Sequence, residues 1–249
     1  MGFADLAITV FAALLIGGLI GAIGIGGVLL TPWLTHVIGL PVRDAIVISS
    51  FAFIGTGVAA LIISLRSMGG APPVNWPLVV ATAPGALAGA WALAVIPGEL
   101  ALALLAVLTI GIGLKSLLGR EPRARQPASS SDRDPGVPVG AFTGFGSALT
   151  GTGGPMVMMP ILLWQGTPMR YAILLGQAVQ LPIALTASAG NLYLGGVDVV
   201  AGTAIGLMLV PGAFLGHRLA GVLPLNALTR LVGITLIAAG VSFAFKAAA

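Results

Sequence analysis

The sequence predicts an all-α polytopic membrane protein made of two inverted repeats. Each repeat is expected to hold a glycine-broken re-entrant hairpin and three transmembrane helices, about eight membrane segments in all. The chain is 57% hydrophobic and only 7% charged, whereas soluble domains carry roughly 25% charged residues. Two glycine clusters, Gly24-Ile25-Gly26-Gly27 and Gly151-Thr152-Gly153-Gly154, interrupt apolar segments at matching places. These observations predict the fold class.

The two halves of the chain share landmarks at a constant spacing. Subtracting 24 from 151 gives an offset of 127. Pro41-Val42-Arg43 and Pro168-Met169-Arg170 obey this offset, and so do Pro84-Gly85 and Pro211-Gly212. Paired proline motifs in one register indicate an internal duplication.

Apolar stretches of about 20 residues, the length that spans a bilayer, divide the chain into elements. A stretch rich in arginine, acid, serine and proline separates the halves and is typical of a solvated linker. The predicted first repeat is 1–118, with a hairpin at 5–40 and spans at 43–65, 76–96 and 99–118; the linker is 119–136; the second repeat is 137–249, with a hairpin at 137–165 and spans at 170–190, 199–219 and 225–245.

The basic residues predict opposite orientations for the two repeats. In the first half, Arg66 follows the first span and the linker arginines follow the third. In the second half, His217 and Arg218 lie instead at the end of the second span. By the positive-inside rule this arrangement leaves only Arg43 and Lys246 outside among 11 Lys and Arg residues. The linker is then cytoplasmic, and both termini are periplasmic.

Inverted repeats require an odd number of full membrane crossings in each half. Because the three predicted spans of each half already give an odd number, each glycine segment must enter and leave the membrane on the same side. Residues 137–165 would form a helix of roughly 43 Å, whereas two full crossings need roughly 60 Å. A re-entrant hairpin that turns at the glycines fits this length. Irregular backbone at that depth is tolerated only inside protein or along a polar cavity, so the hairpin tips become candidate binding sites.

The tips have the chemistry of an anion site. A helix that starts after a glycine run presents free N–H groups and the positive end of its dipole, and threonine hydroxyls add donors. The alternative is that the glycines serve close helix packing only. The candidate substrate-binding residues at the tips are Gly24, Gly26, Gly27, Thr31, Thr150, Gly151, Thr152, Gly153 and Gly154.

Polar residues inside the spans supply further candidates, because they are costly in lipid and tend to be functional. Gln177 and Gln180 could donate amide N–H bonds to anion oxygens, and Ser50 occupies the position that matches Gln177. The alternative is interhelical hydrogen bonding, worth about 0.6 kcal/mol. Arg43 and Arg170 are a matched basic pair that could attract anions along the access path, or could anchor helix ends at the membrane surface.

The titratable residues argue against several functions. None of the seven acids falls in mid-span, and cation carriers usually keep an acid there. We predict no metal site, because His36 and His217 lack a ligand at metal-binding spacing. The chain has no cysteine, no Walker A pattern and no catalytic constellation, so we expect neither an enzyme nor a bound cofactor. The sequence has no basic face interleaved with aromatic residues, so we do not expect it to bind nucleic acid.

The glycine motifs resemble a known family. Gly-Ile-Gly-Gly-x4-Pro near the N-terminus and Gly-Thr-Gly-Gly-Pro-x4-Pro opening the second half look like the sulfite exporter TauE/SafE family, and the resemblance covers essentially the whole chain. It implies a multi-pass carrier in the bacterial inner membrane. The implied substrates are small sulfur-containing anions: sulfite, thiosulfate, or sulfonates such as sulfoacetate.

Several alternatives stay open at this point. The chain could be an anion channel, could carry another small organic anion, or could deliver a small molecule to a cytoplasmic enzyme. The coupling ion, proton or sodium, is not assigned. Gly85-x3-Gly89 and Gly212-x3-Gly216 could support close helix contacts within one chain or in a homo-oligomer.

Overall fold

The fold is known from a computed structural model. It describes residues 3–67, 74–96, 136–196 and 198–248, together with positions 100, 103, 106, 107, 110, 111, 113, 114, 117 and 118. The predicted span 99–118 is therefore covered only at separate positions. The predicted linker, Gly136 excepted, lies outside the described residues.

The described residues are helical and contain no strand, which confirms the all-α prediction. The helices are α1 (Phe3–Ile23), α2 (Leu30–His36), α3 (Val42–Ser67), α4 (Trp76–Val95), α5 (Gly136–Thr150), α6 (Pro155–Trp164), α7 (Met169–Tyr193), α8 (Val199–Val222) and α9 (Leu225–Ala248); a 3-10 turn at Gly26–Leu29 leads into α2.

Four helices, α3, α4, α7 and α8, are long and apolar enough to cross a bilayer, with mean hydropathy between 1.5 and 2.4. Their bounds lie within three residues of the predicted spans. Among the described residues, shorter apolar helical stretches lie at Ile8–Ile23 in α1, at Pro155–Trp164 (α6) and at Gly233–Phe245 in α9. The protein is thus a multi-pass membrane protein, and the total of about eight segments stays a prediction.

Side-chain caps explain where two of the long helices begin. The Asn75 Oδ1 accepts a hydrogen bond from the Leu78 N–H at 3.1 Å, at the start of α4. The Asp198 carboxylate accepts from the Ala201 N–H at 2.9 Å, at the start of α8. Each cap satisfies one of the N–H groups that a helix start leaves without a partner.

The chain folds back on itself at both glycine clusters. A Cβ added at Gly26 would lie 2.6 Å from the Leu19 Cβ, although seven residues of continuous helix would separate the two by roughly 10 Å. A Cβ at Gly146 would lie 3.4 Å from the Val157 Cγ1, against roughly 16 Å along a continuous helix. Each cluster is therefore a tight reversal: the 3-10 turn Gly26–Leu29 lies beside α1, and the short helix α6 lies beside α5.

The first helix of each half packs on a helix of the other half. A Cβ added at Gly89 in α4 would lie 3.0 Å from the Phe145 Cα in α5, and one added at Gly216 in α8 would lie 2.8 Å from the Gly18 Cα in α1. Both members of the second pair lie 127 residues from those of the first. The glycines allow the backbones to touch, as in small-residue packing of membrane helices. The α4–α5 and α1–α8 contacts are thus the same contact made twice.

The helices α3 and α8 run parallel. Gly202 of α8 packs on Phe51 of α3, with an added Cβ 2.9 Å from the Phe51 Cδ1. Farther along, Arg66 of α3 and Arg218 of α8 line one cavity. Residue numbers therefore rise together along the pair.

The helices α3 and α7 cross near the middle of each. A Cβ added at Gly57 would lie 2.9 Å from the Leu181 Cα. The centre of the molecule is thus the crossing of two matched helices, and the two glycine turns lie against it.

Candidate functional site

The two glycine turns meet on the ring of Phe53. A Cβ added at Gly27 would lie 2.8 Å from the Phe53 Cζ, and one added at Gly153 would lie 3.0 Å from the Phe53 Cδ2. The Thr152 carbonyl oxygen is 3.0 Å from the Gly27 Cβ position. Phe53 is fully buried and stands midway along α3. The turns of the two halves are therefore in direct contact at the middle of the molecule.

Threonine hydroxyls join the two turns. The Thr31 Oγ1 lies 3.3 Å from the Gly151 carbonyl oxygen, and at the same distance from the Ser49 Oγ. The Thr150 Oγ1 donates to the Gly146 carbonyl at 2.7 Å and lies 3.1 Å from the Thr152 Oγ1. All of these side chains are buried. Of the predicted residues, Thr31 thus links the first turn to Gly151, whereas Thr150 and Thr152 pair with each other within the second turn.

Positive φ angles require glycine at the second turn. Gly153 has φ 81° and Gly154 has φ 109°, values that L-residues with a Cβ adopt only under strain. Gly154 precedes α6, and Pro155 takes the first helical position, where its missing N–H costs nothing. Gly24 at the first turn also has a positive φ, whereas Gly26 lies in the 3-10 turn. The second turn is therefore followed directly by an α-helix, the first by a 3-10 turn.

The predicted glutamines lie beside the turns but bind the protein itself. The Gln177 Nε2 donates to the Gly21 carbonyl at 3.0 Å, and the Gln180 Nε2 donates to the Thr56 Oγ1 at 2.8 Å. Both contacts are the interhelical hydrogen bonds of the alternative interpretation. Within the described part of the chain, the Oε1 atoms of both glutamines are buried without a hydrogen-bond partner. Each amide thus keeps one unsatisfied acceptor at the centre of the molecule.

Three further predicted residues lie outside these contacts. Ser50 is buried, but its hydroxyl donates to the Ile46 carbonyl of its own helix at 2.9 Å. Arg43 and Arg170 are exposed in the first turns of α3 and α7. The substrate role of all the predicted residues stays a prediction.

The described interior of the protein is uncharged. Its buried polar side chains are threonine, serine, glutamine and asparagine. Among the described residues, no group of three or more His, Cys, Asp or Glu side chains could hold a metal ion. Any ligand at the centre would therefore meet hydroxyls, amides, backbone groups and the N-terminus of α6.

Sequence reasoning did not select Phe53, which contacts both turns. In the sequence, Phe53 is one more apolar residue in a membrane span. The offset of 127 pairs it with Gln180, so the duplication itself is the signal that could have drawn attention to it.

Residues 6–243 match the family described as sulfite exporter TauE/SafE, nearly the whole chain. No curated protein and no solved structure matches the chain. The chain therefore belongs to the sulfite exporter TauE/SafE family.

Proposed function

We propose that this protein is a secondary transporter that moves a small sulfur-containing anion across the bacterial inner membrane by alternating access. Sulfite, thiosulfate and sulfonates such as sulfoacetate are the proposed substrates. The family is a family of transporters, which agrees with the expectation that the chain is not an enzyme.

The meeting of the two glycine turns on Phe53 carries this proposal. Each turn breaks a membrane helix, and such breaks bind substrates in other transporters. The start of α6 directs the positive end of its dipole, equivalent to roughly half a charge, toward the turns. Because no described buried side chain is charged, no carboxylate opposes an anion there. An uncharged site with dipoles and hydroxyls suits a small anion that must also leave again.

The packing supports two inverted halves. The α3 and α8 helices run parallel, and α7 joins α8 through residues 194–198 alone. Two membrane-spanning helices joined by so short a turn run in opposite directions. On this argument α7 runs opposite to α3, its match at the offset of 127. The duplicated contacts of α1 with α8 and of α5 with α4 add the reciprocity of a two-fold axis between the halves.

Alternating access then becomes a movement of one half against the other. The halves touch through glycine-lined contacts such as Gly89–Phe145 and Gly216–Gly18, where the helix backbones approach closely. In the present arrangement the Phe53 ring fills the space between the turns, so a ligand can enter only when the ring or a turn moves.

The sidedness follows from the charge pattern as part of the same proposal. The linker and the turns with Arg66 and Arg218 are cytoplasmic, and both termini are periplasmic.

Flux measurements in proteoliposomes test the proposal. Purified protein should give saturable uptake of at least one of sulfite, thiosulfate and sulfoacetate, and an excess of that anion inside the vesicles should accelerate entry of labelled anion. Such counterflow distinguishes a carrier from a channel. Linear, non-saturating flux would indicate the channel, and the absence of flux for all three anions would favour another organic anion.

A further inference from the structure

A basic cavity of about 230 Å³ lies between the ends of α3 and α8, away from the glycine turns. It is lined by Ile62, Ile63, Arg66, Phe214, His217 and Arg218. Arg66 follows Phe53 by 13 residues of α3, or roughly 20 Å along the helix axis. The cavity is thus separate from the centre where we place the transported anion.

The cavity combines positive charge with apolar walls that reach the outer surface. None of the described residues that line it is acidic. Arg66 and Arg218 are exposed, and Ile62 and Phe214 expose 39% and 43% of their surface. In a membrane protein such exposed apolar side chains face lipid tails, while arginines at helix ends lie at headgroup level.

The matching place in the other half has a different chemistry. At the offset of 127, Arg66 corresponds to Tyr193, His217 to Ala90 and Arg218 to Trp91. Gly190 and Ala90 pack together there, with an added Cβ 2.9 Å from the Ala90 Cβ. Tyr193 and Trp91 are 84% and 55% exposed, as expected for aromatic residues at a membrane interface. One end of the molecule therefore has guanidinium groups where the other has neutral aromatic rings.

We propose that the cavity between α3 and α8 binds the phosphate headgroup of an anionic phospholipid. Guanidinium groups bind phosphate oxygens in pairs of charge-assisted hydrogen bonds, and basic pockets between membrane helices on the cytoplasmic side bind lipid headgroups. The charge pattern assigns this end of the molecule to the cytoplasm. The Ile62 and Phe214 side chains offer an apolar surface to the acyl chain, which a free anion would not use.

The contrast between the two ends favours a lipid over the transported anion. A substrate must pass both ends of a carrier, whereas arginines line this matched place at one end only. A lipid site belongs to a single leaflet, so charge at one end is what lipid binding requires. The cytoplasmic placement of the cavity and the contrast between the two ends rest on the proposed transport function, whereas the binding experiment below measures lipid directly and can succeed or fail independently of transport.

Binding to the purified full chain in detergent tests the inference. The probes are short-chain phosphatidylglycerol, phosphatidylcholine with the same chains, glycerol 3-phosphate, and sulfite, each followed by thermal shift and by native mass spectrometry. We expect phosphatidylglycerol to bind at least tenfold more tightly than phosphatidylcholine. The double variant Arg66→Gln/Arg218→Gln should weaken phosphatidylglycerol binding by roughly 30-fold.

Arg230→Gln is the matched control, because it removes the same charge from an exposed position of α9 and should leave lipid binding unchanged. The single variant Arg66→Gln gives the same test with a weaker effect if the double variant does not fold. Equal binding of both lipids, or full binding by the arginine variants, would overturn the proposal. Glycerol 3-phosphate binding as tightly as the lipid would assign the cavity to a free phosphate, and displacement of the lipid by sulfite would assign it to the transport path; either result overturns the lipid assignment.

Discussion

The described parts of the two halves make matching helix contacts but differ in the polarity of their buried side chains. Each has a glycine reversal, and each packs its first helix on the matched helix of the other half. Yet the buried polar atoms without a hydrogen-bond partner, as far as the described residues go, all lie between residues 143 and 191. They belong to Thr143, Ser147, Gln165, Gln177, Gln180, Ser188 and Asn191.

At the matched positions of the first half, most side chains are apolar or form their hydrogen bond within their own helix. Thr143 and Ser147 correspond to Ile16 and Ile20, which are buried among other apolar residues. Gln180 corresponds to Phe53. Because an unpaired buried polar atom costs free energy, seven such atoms in one half need an explanation, and a polar ligand or water would supply it. The matched helix contacts are thus kept, while the polarity of the buried side chains differs between the halves.

Cysteine labelling gives the largest and most direct test of the comparison. The chain contains no cysteine, so Arg66→Cys and Tyr193→Cys each introduce a single thiol at matched, exposed positions. With inverted halves, a membrane-impermeant maleimide should modify the two from opposite faces of the membrane. Modification of both from one face would mean that the halves are parallel.

Gly153→Leu should abolish transport while the protein still reaches the membrane. The new side chain needs a positive φ and would collide with the Phe53 ring, since a Cβ there would already be 3.0 Å from the Phe53 Cδ2. Gly166→Leu is the control, because Gly166 has the same φ of 81° but no atom within 4 Å of an added Cβ. Flux and membrane yield are measured for both. Normal flux in Gly153→Leu would separate the second turn from the substrate site.

Gln177→Ala and Ser50→Ala compare matched positions of the two halves. The first removes a hydrogen bond between α7 and α1 and one unsatisfied buried amide oxygen; the second removes a hydroxyl that bonds only its own helix. We expect Gln177→Ala to weaken substrate affinity by roughly tenfold, as for loss of about 1.4 kcal/mol, and Ser50→Ala to change it less than twofold. Equal affinities in a binding titration would leave Gln177 as a packing residue.

A double-mutant cycle on Gln180 and Thr56 should give the smallest effect. Their side chains are 2.8 Å apart and join α7 to α3, so Gln180→Leu and Thr56→Val should couple by about 0.6 kcal/mol in unfolding free energy, the average for hydrogen bonds between membrane helices. Transport measured on the same variants separates the two interpretations of Gln180. A loss of flux in Gln180→Leu but not in Thr56→Val would show a role beyond the interhelical bond.

The positions of the long helices could be predicted from the sequence because a helix that crosses a bilayer needs about 20 mostly apolar residues. Apolar runs of bilayer length predicted α3, α4, α7 and α8 to within three residues of their bounds. Asn75 and Asp198 lie where helices begin because their oxygens replace a missing backbone acceptor. The inverted orientation and the substrate role of the turns stay predictions that the experiments above test.

Contacts between distant segments were not readable in this way. The sequence offered Gln177 and Gln180 as donors to an anion, but partners 156 and 124 residues away occupy their amide nitrogens. Likewise Phe53 looks like any apolar residue of a span, and only the approach of Gly27 and Gly153 to its ring places it between the two turns.

The sequence alone determined that this chain is helical, resides in the membrane, breaks at two glycine clusters and repeats itself, because hydropathy, glycine and proline act through local backbone energetics. Only the tertiary structure decided that the two turns touch, that Phe53 lies between them, and that Arg66 and Arg218 share a cavity. Those features depend on how helices far apart in the chain cross, and crossing geometry is set by side-chain packing summed over whole interfaces.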